Sequence, residues 1–136
     1  MNSNMLTPQQ ARGYSPLALA FIGDAVYEEF IRTQIILKAN MSSNKLHKEA
    51  VKYVKASAQS NAMKALLPLL TEEEEDVFKR GRNAHSATVP KNADVVEYRT
   101  ATGFEALIGY LYLTTQTLRL NDLMQKAYAS ISEQSL

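Results

Sequence analysis

Residues 17–28 read LALAFIGDAVYE, and the architecture of the chain turns on that stretch. It is an almost unbroken apolar run with one carboxylate, Asp24, in its middle and a second, Glu28, at its end. An ionised carboxylate among apolar groups is costly unless it is paired, hydrogen-bonded or bound to a cation. Ser15 and Pro16 stand just before the run, a capping hydroxyl followed by a proline suited to a first helical turn. A helix is therefore predicted over residues 16–37. Leu19, Ile22, Val26, Phe30 and Thr33 recur at helical spacing and are expected to form its core face. Asp24 and Glu28, four apart, share another side.

A second stretch has the same form. Residues 103–113 read GFEALIGYLYL, with Glu105 as the single charge. The spacing predicts a helix over 94–117 with a wide apolar face of Ala101, Phe104, Ile108 and Leu111. Gly103 and Gly109 each cost about 1 kcal/mol of helix propensity relative to alanine; the expected return is close approach of another backbone. Two acids on two otherwise greasy segments suggest a hard-cation site with oxygen ligands. Each segment taken alone is equally an amphipathic helix with a partly exposed acid.

The remaining segments also read as helices, and no stretch alternates as a strand does. Thr7-Pro8 is a capping pair for a short N-terminal helix. Residues 45–63 are expected to form one helix with Val51, Val54, Ala58 and Ala62 inward. On it Lys45, Lys48, Lys52 and Lys55 line up on one side, as a phosphate contact or as a solvated face; His47 lies beside them. Residues 66–70 with Pro68 read as a bend. Thr71 followed by Glu74 is a capping box, and the acids of residues 72–76 suit the positive end of a helix rather than a metal cage. Gly81 is expected to stop that helix in a left-handed conformation. Residues 82–94 form the longest irregular segment. With Lys79, Arg80 and Arg99 nearby it is the most basic part of the chain, and a loop of that length in a compact domain is often functional. Asn121-Asp122 is expected to start a last helix with Leu123, Met124, Ala127, Tyr128 and Ile131 inward.

Bulk properties narrow the classes. The 136 residues suit one all-α domain spanning 1–136, with residues 1–13 and 132–136 expected to be poorly ordered. Fifteen Lys and Arg against fourteen Asp and Glu leave a net charge of +1, so only local clustering of basic residues speaks for nucleic acid. The absence of cysteine excludes disulfides, thiolate metal sites and a cysteine nucleophile, and fits a reducing cytoplasm. No signal peptide and no membrane span is expected. Phosphate-binding glycine loops, the H-E-x-x-H zinc pattern, Glu-x-x-His pairs and the G-x-S-x-G elbow are all missing. Carboxylates, basic loops and helices remain, a combination that suits magnesium-dependent hydrolysis of a phosphodiester.

The motifs are recognisable together. Phe21-Ile22-Gly23-Asp24-Ala25-Val26 resembles the core of the ribonuclease III signature, usually E-R-L-E-F-L-G-D-[AS]-V-L. Phe104-Glu105-Ala106-Leu107-Ile108-Gly109, followed by Tyr112-Leu113, resembles that family's second motif, D-x-x-E-A-L-I-G-A-x-Y-L-D. The likeness runs from about Tyr14 to Ala129. It is closer to the short Mini-ribonuclease III subgroup, which lacks a double-stranded-RNA-binding domain. The stretches FKRGRNA at residues 78–84 and PKNADVVEYRTATGFEALIGYLYL at residues 90–113 look like that subgroup's.

The resemblance implies a ribonuclease III endonuclease-domain-like helical fold and a homodimer with duplex RNA in a cleft across it. It implies magnesium, with manganese as a substitute, and cleavage of both strands. For the subgroup it implies maturation of precursor large-subunit (23S) ribosomal RNA in the cytoplasm, assisted by a large-subunit ribosomal protein on the substrate. Asp24 and Glu105 match the family's metal-binding, catalytic acids. Three other usual acid positions hold Leu17, Ala20 and Thr102 here. The expected core site is therefore Asp24 and Glu105 alone, with water or substrate oxygens completing a metal's shell; the number of metal ions stays open. Arg80, Arg82, Asn83, His85, Lys91 and Arg99 are the expected RNA contacts. The missing acids leave a second class in view, a catalytically weak or inactive dimeric RNA-binding helical module.

Overall fold

The computed structural model describes residues 5–84 and 89–134. Its elements are α1 (Pro8–Arg12), α2 (Pro16–Lys38), α3 (Ser43–Val54), α4 (Ala56–Leu66), a 3-10 turn (Leu67–Leu69), α5 (Glu72–Asn83), α6 (Val95–Leu113) and α7 (Thr117–Gln134). No strand occurs among the described residues, as the sequence predicts. Helix starts are the best-encoded features. Ser15 accepts from the Ala18 amide at 3.1 Å. Thr7 with Gln10, and Thr71 with Glu74, form complete capping boxes. The Leu6 amide donates to the Leu113 carbonyl at 3.0 Å, tying the segment before α1 to the end of α6.

Helix α6 is the axis of the fold. Ala101, Gly103, Phe104 and every residue from Ala106 to Leu111 are buried, so it is enclosed nearly all round. A helix apolar on every side is a buried one. Its neighbours are α2, α5 and α4. Glycines set the two closest approaches. A Cβ at Gly23 would lie 1.8 Å from the Glu105 carbonyl oxygen, and one at Gly109 would lie 1.9 Å from the Leu19 carbonyl oxygen. Going up one turn of α2, from Leu19 to Gly23, means going down one turn of α6, from Gly109 to Glu105. The two helices therefore run antiparallel with their backbones touching. On another side, a Cβ at Gly81 would lie 2.7 Å from that of Ala106, and one at Gly103 would lie 2.7 Å from the Phe78 carbonyl oxygen. The close approach expected of Gly103 and Gly109 is present at both.

Several boundaries differ from the sequence reading. The buried stripe of α2 is Leu19, Ala20, Gly23, Tyr27, Ile31 and Ile35; Val26 and Phe30 flank it and Thr33 is exposed. The stripe follows the glycine contact, a cue that a search for large apolar residues passes over. Residues 45–63 are two helices, not one: Lys55 is extended, with φ −66° and ψ 154°, and α4 starts afresh. The break turns Val51 outward and lets Tyr53, Ala58, Gln59 and Ala62 all enter the core. Lys45, Lys48, Lys52 and Lys55 are solvent-exposed, and Lys52 pairs with Glu49 at 2.8 Å. Gly81 is not a left-handed stop. No described glycine has positive φ, and α5 continues to Asn83 because Gly81 is the small residue at its contact with α6. Helix α6 ends at Leu113, before a left-handed Thr115 with φ 54°, and α7 begins at Thr117, ahead of Asn121.

One buried ion pair locks α5 to α7. Glu74 is 4% exposed and accepts two parallel hydrogen bonds from Arg119, Nε to Oε2 and Nη2 to Oε1, both 2.8 Å. Arg119 also donates to the Leu69 carbonyl at 2.8 Å and to Asp122 at 3.0 Å. Burial alone pushes the Glu74 carboxyl up. The Arg119 guanidinium and the Thr71 hydrogen bonds outweigh burial and hold it below its ordinary value. A carboxyl depressed in the folded state adds stability above its unfolded value, and that stability is lost as pH falls through the folded one.

Two outcomes are expected. Gly109→Ala drives a methyl into the Leu19 carbonyl, separates α2 from α6, and lowers stability by about 1–3 kcal/mol in urea unfolding. Arg119→Met leaves Glu74 buried without its cation and costs about 2 kcal/mol near neutral pH, the usual cost being reduced because the arginine is partly exposed. In that variant the loss of stability on acidification, followed by thermal melts from pH 7 to pH 3, is shallower than in the parent.

Candidate active site

The glycine contact between α2 and α6 decides where the two lone acids go. Asp24 follows Gly23 directly, and Glu105 supplies the carbonyl against which Gly23 rests. The carboxylate of Asp24 lies within hydrogen-bonding reach of that of Glu105, and Glu28, one turn along α2, adds its field. Asp24 is exposed and Glu105 half-buried, so the pair opens to solvent on the Asp24 side. Burial first, and the Asp24 carboxylate second, push the Glu105 carboxyl up to about 8. Glu28 is itself engaged by Arg32 at 3.3 Å.

A third group completes the site. Gln59, in the first turn of α4, donates from Nε2 to Glu105 Oε2 at 3.3 Å and to the Val54 carbonyl at 2.9 Å. Its Oε1 is buried with no hydrogen-bond partner among the described residues. Gln59 was not among the expected site residues. Its one local signal is a polar side chain interrupting the buried run of Ala58, Ala62 and Met63, and the contact with Glu105 spans 46 residues of chain.

The positions that usually carry further acids offer none. Leu17 is exposed and apolar, Ala20 is buried, and the Thr102 hydroxyl donates to the Tyr98 carbonyl at 3.0 Å. Among the described residues no group of three or more His, Cys, Asp or Glu is arranged to hold a metal ion. Two carboxylates are nevertheless a sufficient protein share for magnesium, which keeps several waters and takes remaining oxygens from a substrate phosphate. The mutual repulsion of Asp24 and Glu105 and the orphaned oxygen of Gln59 both fit such a hydrated cation. Asp94 is spent otherwise, capping α6 by accepting from the Glu97 amide at 3.1 Å.

Of the expected RNA contacts, Arg80, Arg82 and Asn83 lie at the end of α5, Lys91 precedes α6 and Arg99 lies on α6. Arg80 donates to the Arg12 carbonyl at 3.1 Å, bracing α5 against the end of α1. Arg82 donates to Asn83 at 3.2 Å and stacks its guanidinium 5.6 Å from the Phe78 ring centre. It borders a cleft of about 400 Å³ shared with Lys64, Asp94 and Glu97. Lys91 and Arg99 are exposed. His85 lies outside the described residues. No described helix is long and apolar enough to cross a membrane.

Comparison with known proteins bears on these observations. Residues 17–116 match the ribonuclease III domain family. The chain is 51% identical over 132 residues to the Mini-ribonuclease 3 of Thermoanaerobacter sp. (strain X514), covering 97% of this chain and 93% of that one. It is 54% identical over 110 residues to the Mini-ribonuclease 3 of Streptococcus pneumoniae, covering 79% and 86%. A crystal structure of a Fusobacterium nucleatum protein superposes with a TM-score of 0.76 at 35% identity, over 84% of this chain and 91% of the other. A helical domain whose two signature acids meet at a glycine-lined helix contact, and whose sequence is shared this widely with Mini-ribonuclease 3 proteins, belongs to the ribonuclease III family, in its Mini-ribonuclease 3 group, and is an endoribonuclease.

Proposed function

We propose that the chain cleaves double-stranded regions of RNA at the Asp24–Glu105 pair, and that its substrate in the cell is precursor 23S ribosomal RNA in the cytoplasm. The observation that carries the catalytic assignment is the meeting of two carboxylates from distant parts of the chain, one of them exposed to solvent. Membership of an endoribonuclease family speaks against a non-catalytic RNA-binding module.

The chemistry is hydrolysis: water adds to phosphorus and one ester oxygen leaves with a proton. Asp24 and Glu105 would hold a divalent cation, magnesium or manganese, which when bound supplies Lewis acidity to a phosphate oxygen and to water. Asp24, exposed, is the acid that approaching substrate meets first. Glu105 is steadied from behind by Gln59. Arg80, Arg82, Lys91 and Arg99 would take up neighbouring phosphates, with Asn83 and His85 in the same role; Arg80 donates to the Arg12 carbonyl through one nitrogen and keeps further donors. Duplex RNA presents phosphates and 2′-hydroxyls more than readable base edges, so shape dominates selection. A large-subunit ribosomal protein on the precursor is a fitting assistant, because a site of so few bases benefits from a substrate held in shape.

The same helix supports a homodimer. Phe21 is 82% exposed, and Leu17, one turn earlier, is exposed as well. Exposed apolar side chains grouped on one helix face mark an interaction surface. Phe21 lies three residues before Asp24, so a second copy seated there would border the acid pair and leave a cleft between two such pairs.

Asp24→Asn is expected to keep the fold and duplex-RNA affinity while cleavage in magnesium falls by about 10²–10³-fold, the range seen when a transition-state charge partner is removed; unchanged turnover would refute the assignment. Phe21→Ser is expected to move the sedimentation coefficient from dimer to monomer without lowering helix content. A variant that sediments like the parent would remove α2 from the interface.

A further inference from the structure

The side-chain amide of Gln59 has only one way round. Both hydrogens of Nε2 are used, one on the Val54 carbonyl at 2.9 Å and one on Glu105 Oε2 at 3.3 Å. The Val54 carbonyl can only accept, so an amide turned end for end would set oxygen against oxygen at the shorter contact. The Val54 carbonyl is available because the chain leaves helical conformation at Lys55, the break between α3 and α4. The break and the grip on Glu105 are thus one device: the joint anchors the amide, and the amide holds the carboxylate. Gln59 is 2% exposed, which leaves it little rotamer freedom.

The other end of this amide is the unusual part. Oε1 is buried and accepts from nothing among the described residues. A buried acceptor left unpaired costs about 1–3 kcal/mol, so such atoms call for a partner. As the oxygen of an amide whose nitrogen is hydrogen-bonded to Glu105, it is a neighbour of the acid pair and, among the described residues, a buried polar atom without a partner.

We propose that Gln59 is the positioning residue of the acid pair: Nε2 sets the Glu105 carboxylate beside Asp24, and Oε1 accepts a hydrogen bond from a water molecule of the divalent cation that the two acids hold. This rests on the catalytic reading of Asp24 and Glu105. It adds to that reading a residue from a third helix that touches neither RNA nor cation and acts through Glu105 and through water. Groups that orient metal ligands in this way typically matter 10–100-fold to metal affinity or activity.

The test compares the parent, Gln59→Met and Gln59→Glu. Methionine keeps the volume without donor or acceptor. Glutamate keeps an acceptor but loses the donor and sets a carboxylate against Glu105. Binding of Mn²⁺ to the RNA-free protein, followed by electron paramagnetic resonance, is expected to weaken about 10-fold or more in Gln59→Met; in Gln59→Glu the added negative charge offsets that loss, and the variant is read by its kcat. With magnesium and duplex RNA, kcat is expected to fall by a similar factor while KM for the duplex stays within about twofold. A residue that served only the α3–α4 joint would lower the melting temperature and leave the Mn²⁺ affinity and kcat of the folded protein unchanged, and that result overturns the proposal. A measurement on the unaltered protein keeps the test open if both variants fail to fold. The Gln59 side-chain amide resonance is expected to shift on addition of Mg²⁺ alone, and no shift at saturating Mg²⁺ also overturns it. Failure of the underlying reading is distinguishable, since it shows as undiminished cleavage by Asp24→Asn. If Asp24→Asn is inactive while Gln59→Met matches the parent in Mn²⁺ affinity and kcat, the role of Gln59 alone is refuted.

Discussion

Backbone touching backbone between α2 and α6 is the constraint from which the rest follows. Gly23 and Gly109 each leave room for a carbonyl oxygen of the opposite helix, at distances where any side-chain carbon would collide. Helices with ordinary side chains at their contact sit about 8–10 Å apart, axis to axis. Removing the side chains at two points one turn apart brings the axes closer and fixes both register and antiparallel sense. Asp24 and Glu105 flank that contact, so their proximity follows from the register. Tyr27 and Phe104, edge to face at 4.9 Å between ring centres, carry the same seam further along the pair.

Two glutamates show how one residue type is put to opposite uses. Glu74 is nearly inaccessible, yet Arg119 grips it through two parallel hydrogen bonds and Thr71 caps it, so it stays ionised and serves the fold. At Glu105 burial first and the Asp24 carboxylate second push the carboxyl up to about 8, and the hydrogen bond from the Gln59 amide only partly opposes them. Burial opposes the charge in both cases; the neighbour decides the outcome. Two carboxylates set side by side repel one another, which is the electrostatic condition that favours a bound divalent ion; only through such an ion does the pair attract a phosphate backbone.

The joint at Lys55 links architecture to chemistry. No glycine or proline marks it, and the lysine spacing of residues 45–55 continues through it as though the helix did. Ending α3 at Val54 lets α4 redirect its buried face toward α6 and α7, and frees a carbonyl for Gln59. The interruption is therefore repaid twice, by apolar burial along α4 and by the amide that reaches Glu105.

Much of this was legible in the sequence because it is local. Ser15-Pro16 and Thr71 with Glu74 start helices through bonds spanning three residues, and the apolar run of residues 103–113 marks a helix with a wide buried face. The two acids stood out for a local reason too, as single charges in greasy segments. Tertiary structure alone decided which stripe of α2 faces inward, that Gly81 lies within a helix, that the chain breaks at Lys55, and that Gln59 meets Glu105 across 46 residues. Caps and periodicity depend on neighbours a few residues away, so the chain carries them wherever it is read. The pairing of glycines across helices and the placement of an amide against a distant carboxylate depend on which surfaces exclude water together, and that is settled only when all the helices are in place.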